Sequence, residues 1–309
     1  MNGILNVLKP AGMTSFDVIG FMRRITGQKK IGHAGTLDPS AVGVLPLCIG
    51  NATRALEFMI DKDKVYRAEL TLGVSTDTQD SSGIVLDSYS VEVNEDEIKK
   101  TVMSFVGTIE QLPPMYSAIK IGGKKLYELA RQGQTIERES RTIQIYSIDV
   151  IRVWEDSAVF DSEGTAKEFA VKKALLDVHC SKGTYIRTLC NDIGDKLGCG
   201  GHMSFLVRTR AGQYNLDNAL TMEEVIQLSE TKALEGHLLP VEKIFEVFDS
   251  IKLSNKELFK YNNGVWLEVE KNKYKKTVYR VYDNNSFLGI GEVFEKENTL
   301  YLKSKKFFK

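Results

Sequence analysis

The sequence predicts an α+β protein: a mixed, mainly antiparallel sheet flanked by helices, followed by a small β unit. Three observations carry this. "KVYRAELTLG", residues 64–73, places Tyr66, Ala68, Leu70 and Leu72 on one face and Arg67, Glu69 and Thr71 on the other. That alternation is the mark of a half-buried strand. "TSFDVIGFMRRIT" and "GTYIRTLCNDIGDKLG" instead repeat apolar residues at helical spacing. Finally "VWLEVEK", "TVYRVYDNNS", "FLGIGEVFE" and "TLYLKSKKF" alternate again, around an Asn-Asn turn, as a compact β module does.

In chain order, "ILNVLKP" is a short strand ended by Pro10. A helix follows, with Thr14 or Ser15 as cap, Asp17 in its first turn and Gly27 as its stop. Its apolar pairs are Phe16 with Ile19, Val18 with Met22 and Phe21 with Ile25. A loop is expected from there to about Ala41, then the Tyr66 strand, the turn-rich "STDTQDSSG" and a helix capped by Asn94. Residues 111–141 read as an insertion with two prolines, a glycine turn and a short helix closed by Gly133. "ALLDVHC" is a strand that turns at 181–183 into a helix striped by Ile186, Leu189, Cys190, Ile193 and Leu197, with Ser181 or Thr184 as cap. Two helical segments are expected within 218–248. The resulting division is 1–249 with the 111–141 insertion, then 250–309.

Composition narrows the class. With 309 residues, 42% hydrophobic and 27% charged, this is an ordinary globular chain. Apolar runs such as 42–50 are too short to cross a bilayer, and no signal peptide is evident, so a cytoplasmic monomer is expected. Net charge is zero, yet 251–309 holds 13 Lys/Arg against 7 Asp/Glu, a local surface for phosphates or simply a solvated face. Cys48, Cys180, Cys190 and Cys199 form no Cys-x-x-Cys pair. Buried thiols explain them better than a zinc site built from Cys180, Cys190, Cys199 and His202. The four histidines lack ligand spacing, so no histidine metal site is expected. P-loop, dinucleotide-binding and nucleophile-elbow motifs do not occur.

The residues that invite chemistry are few. "GHAGTLDPSAVGVLP", residues 32–46, carries one acid, Asp38, in a glycine-rich turn before an apolar run. Such a carboxylate can act as nucleophile or base, or simply hydrogen-bond its own backbone in an Asx turn. If buried it needs a cation, and Arg187 is a candidate: it lies at the edge of an apolar stripe in a helix's first turn, where the dipole favours acids. In the insertion, Lys120, Lys124, Lys125 and Arg131 interleave with Tyr116 and Tyr127, a pattern suited to nucleic-acid contact or, diluted by Glu128, Glu137 and Glu139, to a surface excursion with an ordinary charge mix.

"GHAGTLDPSAVGVLPLCIGNATR" resembles the signature of the tRNA pseudouridine(55) synthase family, TruB. So do "NVLKPAGMTSFDV", "KVYRAELTLGVSTDTQD", "QLPPMYSAIKIGGKKLYELARQG" and "GTYIRTLCNDIGDKLG", in the family's order across residues 6–212. The resemblance implies the pseudouridine synthase fold with a PUA-like C-terminal domain, and isomerisation of uridine in the T arm of tRNA without a cofactor. Asp38 matches the essential aspartate, Tyr66 the tyrosine stacked on the flipped base, and Arg187 the arginine paired with the aspartate. His33, Lys9 and Pro10 match residues bordering the nucleotide, and residues 111–141 resemble an RNA-clamping insertion. Leu37, Val42 and Leu45 would wall the base from water. Two other classes stay in view. One is an RNA-folding factor without chemistry, whose activity could coexist with catalysis. The other is a glycoside hydrolase, which would want a second acid that the sequence does not present.

Overall fold

The computed structural model describes residues 1–309 apart from Ala118, Glu163, Gly164, Asn285 and Lys309. Its larger sheet has nine strands. They are β1 (Gly3–Lys9), β2 (Ile31–His33), β3 (Val42–Ile49), β4 (Lys64–Leu72), β5 (Gly107–Gln111), β6 (Arg141–Ser162), β7 (Thr165–Cys180), β8 (Gly201–Ala211) and β9 (Tyr214–Asn215). The order is β1-β3-β8-β4-β7-β6-β5, with β2 also on β3 and β9 on β8. All pairs are antiparallel except β3 with β8. The fold is therefore the α+β class expected. The expected loop before Ala41 is interrupted by β2. The long β6 had no sequence signal, because beyond Val150 both of its faces are largely wet and no clean alternation survives.

The helices form where their caps and apolar spacing place them. Ser15–Thr26 begins with a capping box: Thr14 Oγ1 accepts from Asp17 N–H, and the Asp17 carboxylate accepts from Thr14 N–H. Val18, Ile19 and Met22 enter the core with Leu5, Val7, Leu45 and Leu47. Phe16, expected in that stripe, points outward instead. Asn94 and Glu97 cap Glu95–Met103 in the same way. The Ile186–Leu197 helix buries Ile186, Leu189, Cys190 and Ile193 of the expected stripe together with Arg187, and leaves Leu197 half-buried. Neither Ser181 nor Thr184 caps it. Instead Gln111 at the end of β5 accepts from Tyr185 N–H at 2.8 Å and donates to Tyr185 C=O at 3.0 Å. Residues 218–248 hold one α-helix, Met222–Glu230, and two 3₁₀ turns, Leu234–His237 and Val241–Phe245, where two helical segments were expected.

In the insertion, a ribbon pairs Lys120–Ile121 with Lys124–Lys125 before the one-turn-and-a-half helix Leu126–Ala130. The C-terminal part is a five-stranded sheet in the order Ser250–Leu253, Val278–Asp283, Ser286–Lys296, Thr299–Phe307, Leu267–Val269, with one helix, Asn255–Asn262. Asn285 of the expected Asn-Asn turn lies outside the described residues. An apolar cluster joins the two sheets: Ile4, Val44 and Cys48 from the large one, Ile290 from the small one with Phe308 just after its strand, and Phe245 between them.

Candidate active site

Asp38 sits in the loop between β2 and β3, where two strands of one sheet edge hold the loop's ends. Its main-chain carbonyl accepts from Ala41 N–H at 3.1 Å, so the turn is real. Its side chain goes elsewhere: Oδ2 lies 3.1 Å from Arg187 Nη2. The Asx reading therefore gives way to an ion pair across 149 residues of chain. Arg187 is buried, and its other contacts are the Tyr116 carbonyl at 2.8 Å and Asp80 Oδ2 at 3.6 Å. Asp38 keeps 36% of its side chain exposed, so one side of the carboxylate faces outward.

Asp80 is the second acid that the sequence did not disclose. It closes the "STDTQD" turn after β4, and an acid in a polar turn reads as surface until the fold buries it. Its Oδ1 accepts from Ser82 N–H, Ser82 Oγ and Thr78 Oγ1 at 2.9, 2.5 and 2.8 Å. Those bonds commit it as an anchor for Arg187. Asp80 is also buried, so it does not face solvent to flank a substrate bond as a second hydrolase acid would. Asp77, in the same turn, accepts from Tyr116 Oη at 3.2 Å and so ties the root of the insertion to the site.

The loop is braced from beneath. Ser15 Oγ accepts from Leu37 N–H at 2.9 Å and donates to Leu37 C=O at 3.2 Å. Arg208 is wholly buried; Nε donates to Val44 C=O at 2.8 Å, Nη2 to Gly35 C=O at 3.1 Å and Nη1 to Thr36 C=O at 3.4 Å. It thus spans both arms of the loop. Gly43 makes that approach feasible: at φ +119°, a Cβ there would stand 2.3 Å from the Arg208 carbonyl oxygen. Lys9 was expected at the RNA. It is instead fully buried, with Nζ donating to Pro10, Met13 and Pro39 carbonyls at 2.9, 2.5 and 3.2 Å. Arg208 and Ser15 carried no motif that spacing could expose; only the tertiary path of the loop gives them a task.

Tyr66 on β4 pairs in register with Val178 on β7 and Arg208 on β8. It lies half-buried against the core that contains Leu37, Ala68, Leu70 and Leu206. Of the three residues expected to wall the site, Leu37 joins that core, whereas Leu45 packs on the far side with the Ser15–Thr26 helix. Val42 is half-buried. His33 ends β2 with its ring 6.2 Å from that of Phe16, edge to face. Lys120, Lys124 and Arg131 are exposed on the insertion. Lys125 and Arg131 stand 5.3 and 5.4 Å from the Tyr127 ring centre, so that tyrosine organises the cations.

Electrostatics follow from this packing. Burial raises the Asp38 carboxyl above the usual aspartate value; Arg187 pulls it back, Asp80 pushes it further up, and Lys9 pulls it down. Burial raises the Tyr66 phenol, against the pull of Arg208. Burial, then Arg208, lowers the His33 imidazole. Lys9 falls to about 8, chiefly through burial. Among the described residues no three of His, Cys, Asp or Glu gather as a metal-binding group. The four cysteines are buried free thiols, those of Cys48, Cys180 and Cys190 pushed up to about 12 by burial. No helix among the described residues is long and apolar enough to cross a membrane. The arrangement offers a clamped, one-side-open carboxylate with a phenol and an apolar wall nearby. It suits attack on, or proton transfer to, a ligand that comes from solvent.

Residues 23–186 match the TruB family pseudouridylate synthase N-terminal domain, and 187–246 match the tRNA pseudouridylate synthase B C-terminal domain. The chain is 53% identical to tRNA pseudouridine synthase B of Alkaliphilus oremlandii, over 78% of this chain and 75% of that protein. It is 40% identical to tRNA pseudouridine synthase B of Clostridioides difficile over the whole of both chains. Among solved structures, a Cbf5-Nop10-Gar1 complex contains a chain that superposes with a TM-score of 0.70 at 26% identity, covering 99% of this chain and 85% of that one.

Proposed function

The chain belongs to the TruB family of pseudouridylate synthases, and on that premise we propose that it converts uridine 55 in the T loop of tRNA to pseudouridine through Asp38. At the coarser level it is an isomerase that forms pseudouridine in tRNA. The observation that supports the finer reading is the Asp38–Arg187 pair, a half-exposed carboxylate on a buried guanidinium.

The reaction breaks the N1–C1′ bond, turns the base, joins C5 to C1′, and moves the C5 proton away while N1 regains one. No water or electron is consumed overall, and no cofactor is needed. The target base is stacked inside the T loop, so it must be flipped out at a cost of a few kcal/mol. Tyr66 offers a stacking platform that returns about 1–3 kcal/mol. Leu37 and the core behind it keep the detached uracil from water. Arg187 holds Asp38 ionised and aimed, and Asp80 holds Arg187. His33 borders the flipped nucleotide, and Tyr116, Lys120, Lys124, Lys125 and Arg131 line the clamping insertion. Lys9 serves the site from below by fixing the loop. We take 1–249 as the catalytic unit and 250–309 as a PUA-like RNA-binding unit, in a cytoplasmic monomer.

The test is direct. An unmodified tRNA transcript is incubated with the protein, without added metal or nucleotide, and pseudouridine is mapped. Product at the T-loop uridine is expected. Asp38→Asn should leave no product while still binding tRNA. Product elsewhere, or normal turnover by Asp38→Asn, would overturn this assignment.

A further inference from the structure

The Ser15–Thr26 helix carries a face that neither the core nor the site explains. Phe16 is 72% exposed at its first turn. Its ring stands edge-on to His33 at 6.2 Å and 85°. Its neighbour Ser15 is the residue that pins Leu37, one position before Asp38. So this ring lies beside the loop that carries Asp38.

Two more features share the face. Gly20 is one turn on from Phe16, and Arg23 is nearly a further turn, within about 20° of Phe16's direction. Gly20 is exposed, and a Cβ there would meet nothing within 4 Å. No packing inside the protein requires a glycine, although one in mid-helix lowers stability relative to alanine. Its absence of side chain leaves a flat gap between an aromatic ring and a cation. Charge points the same way. Between residues 10 and 37, Arg23, Arg24, Lys29 and Lys30 stand exposed against a single acid, Asp17. Asp17 is itself occupied by the cap at Thr14.

We propose that the Phe16–Gly20–Arg23 face is a second RNA-docking surface, which takes an unpaired stretch of the bound tRNA next to the flipped uridine. Phe16 stacks on an unpaired base, Gly20 lets the strand lie against the helix, and Arg23 with the neighbouring cations meets phosphates. The clamping insertion and this helix then give the RNA two separate holds near Asp38. This inference rests on the tRNA reading above.

The experiment compares tRNA affinity, KM, single-turnover rate and thermal unfolding for the full chain and three variants. Phe16→Ala should weaken tRNA binding about tenfold, with the loss in Kd and KM larger than in the rate at saturating RNA. Phe16→Tyr should restore most of the affinity, because the ring returns. Gly20→Gln should raise the unfolding temperature by about 2 °C while weakening tRNA binding severalfold, opposite signs that a structural role cannot give. If Phe16→Ala and Gly20→Gln both bind tRNA within twofold of the parent chain, the surface is not used and the proposal falls. It falls too if binding is lost only in step with loss of folded protein. Failure of the parent chain itself to make pseudouridine would count against the function, not against this surface, which tRNA binding tests independently.

Discussion

At the scale of single residues, the site is a chain of charges: Asp38, Arg187, Asp80. Its two acids share one guanidinium, yet they are not equivalent. Asp80 is enclosed by Ser82 and Thr78 hydroxyls and an N–H, whereas Asp38 has an open side. The raised Asp38 carboxyl fixes a pH dependence. The ionised form is present above its raised pKa, so single-turnover rate should fall as pH drops through a midpoint higher than the 3.8 of free aspartate. Asp80 contributes to that elevation. Asp80→Asn removes the like charge and should shift the acid limb to lower pH; a pH–rate profile reads it, and an unmoved or raised midpoint would contradict the coupling. Arg187→Ala takes away the charge that pulls Asp38 down, so the limb should move up and the rate fall by roughly 100-fold or more. Asp38 and Tyr66 could be singled out in the sequence by setting and face. Arg187 could be singled out by its conflict with the helix dipole. Asp80 could not, because nothing local separates an anchoring acid from an ordinary turn acid.

At the scale of elements, what aims Arg187 is a cap made from outside the helix. Gln111 closes β5 and satisfies Tyr185 on both main-chain groups, 74 residues away. Local candidates existed in Ser181 and Thr184, but Thr184 Oγ1 donates to Ser181 C=O at 3.0 Å instead and shapes the turn. Gln111→Ala should cost about 1–3 kcal/mol, since the Tyr185 N–H loses its partner while the Tyr185 carbonyl keeps only Leu189 N–H. Urea unfolding measures that loss. The same substitution should reduce the single-turnover rate more than tRNA affinity, because Arg187 stands two residues beyond the freed cap. Equal stability in the two proteins would show the cap to be idle. Capping boxes at Thr14 and Asn94 were legible because donor and acceptor lie within four residues. The cap of the Arg187 helix was not, because it arrives through the sheet.

At the scale of the whole molecule, the large sheet and the C-terminal sheet share apolar surface. Phe245 lies on the connection and packs on Phe308, just past the small sheet's fourth strand, at 5.3 Å and on Phe287 of that sheet at 6.1 Å. Phe58 meets it from the other side at 5.1 Å. Phe245→Ala should therefore destabilise by about 3–5 kcal/mol. Calorimetry should show both parts shifting to lower temperature in one transition. Independent melting of 250–309 at its original temperature would mean the shared cluster does not couple them.

The sequence by itself determined the α+β class, the helices with local caps, the alternating strands, and the candidates Asp38, Tyr66 and Arg187. These rest on periodicity and residue chemistry, which act over a few positions. Only the tertiary structure decided what surrounds them. It put Asp80 on Arg187, Arg208 and Lys9 under the Asp38 loop, Gln111 on the Arg187 helix, and Phe16 in solvent beside His33. Each of those depends on where distant segments cross in the sheet. A buried charge takes whatever partner the fold brings within about 3–4 Å, and no short-range pattern records that distance.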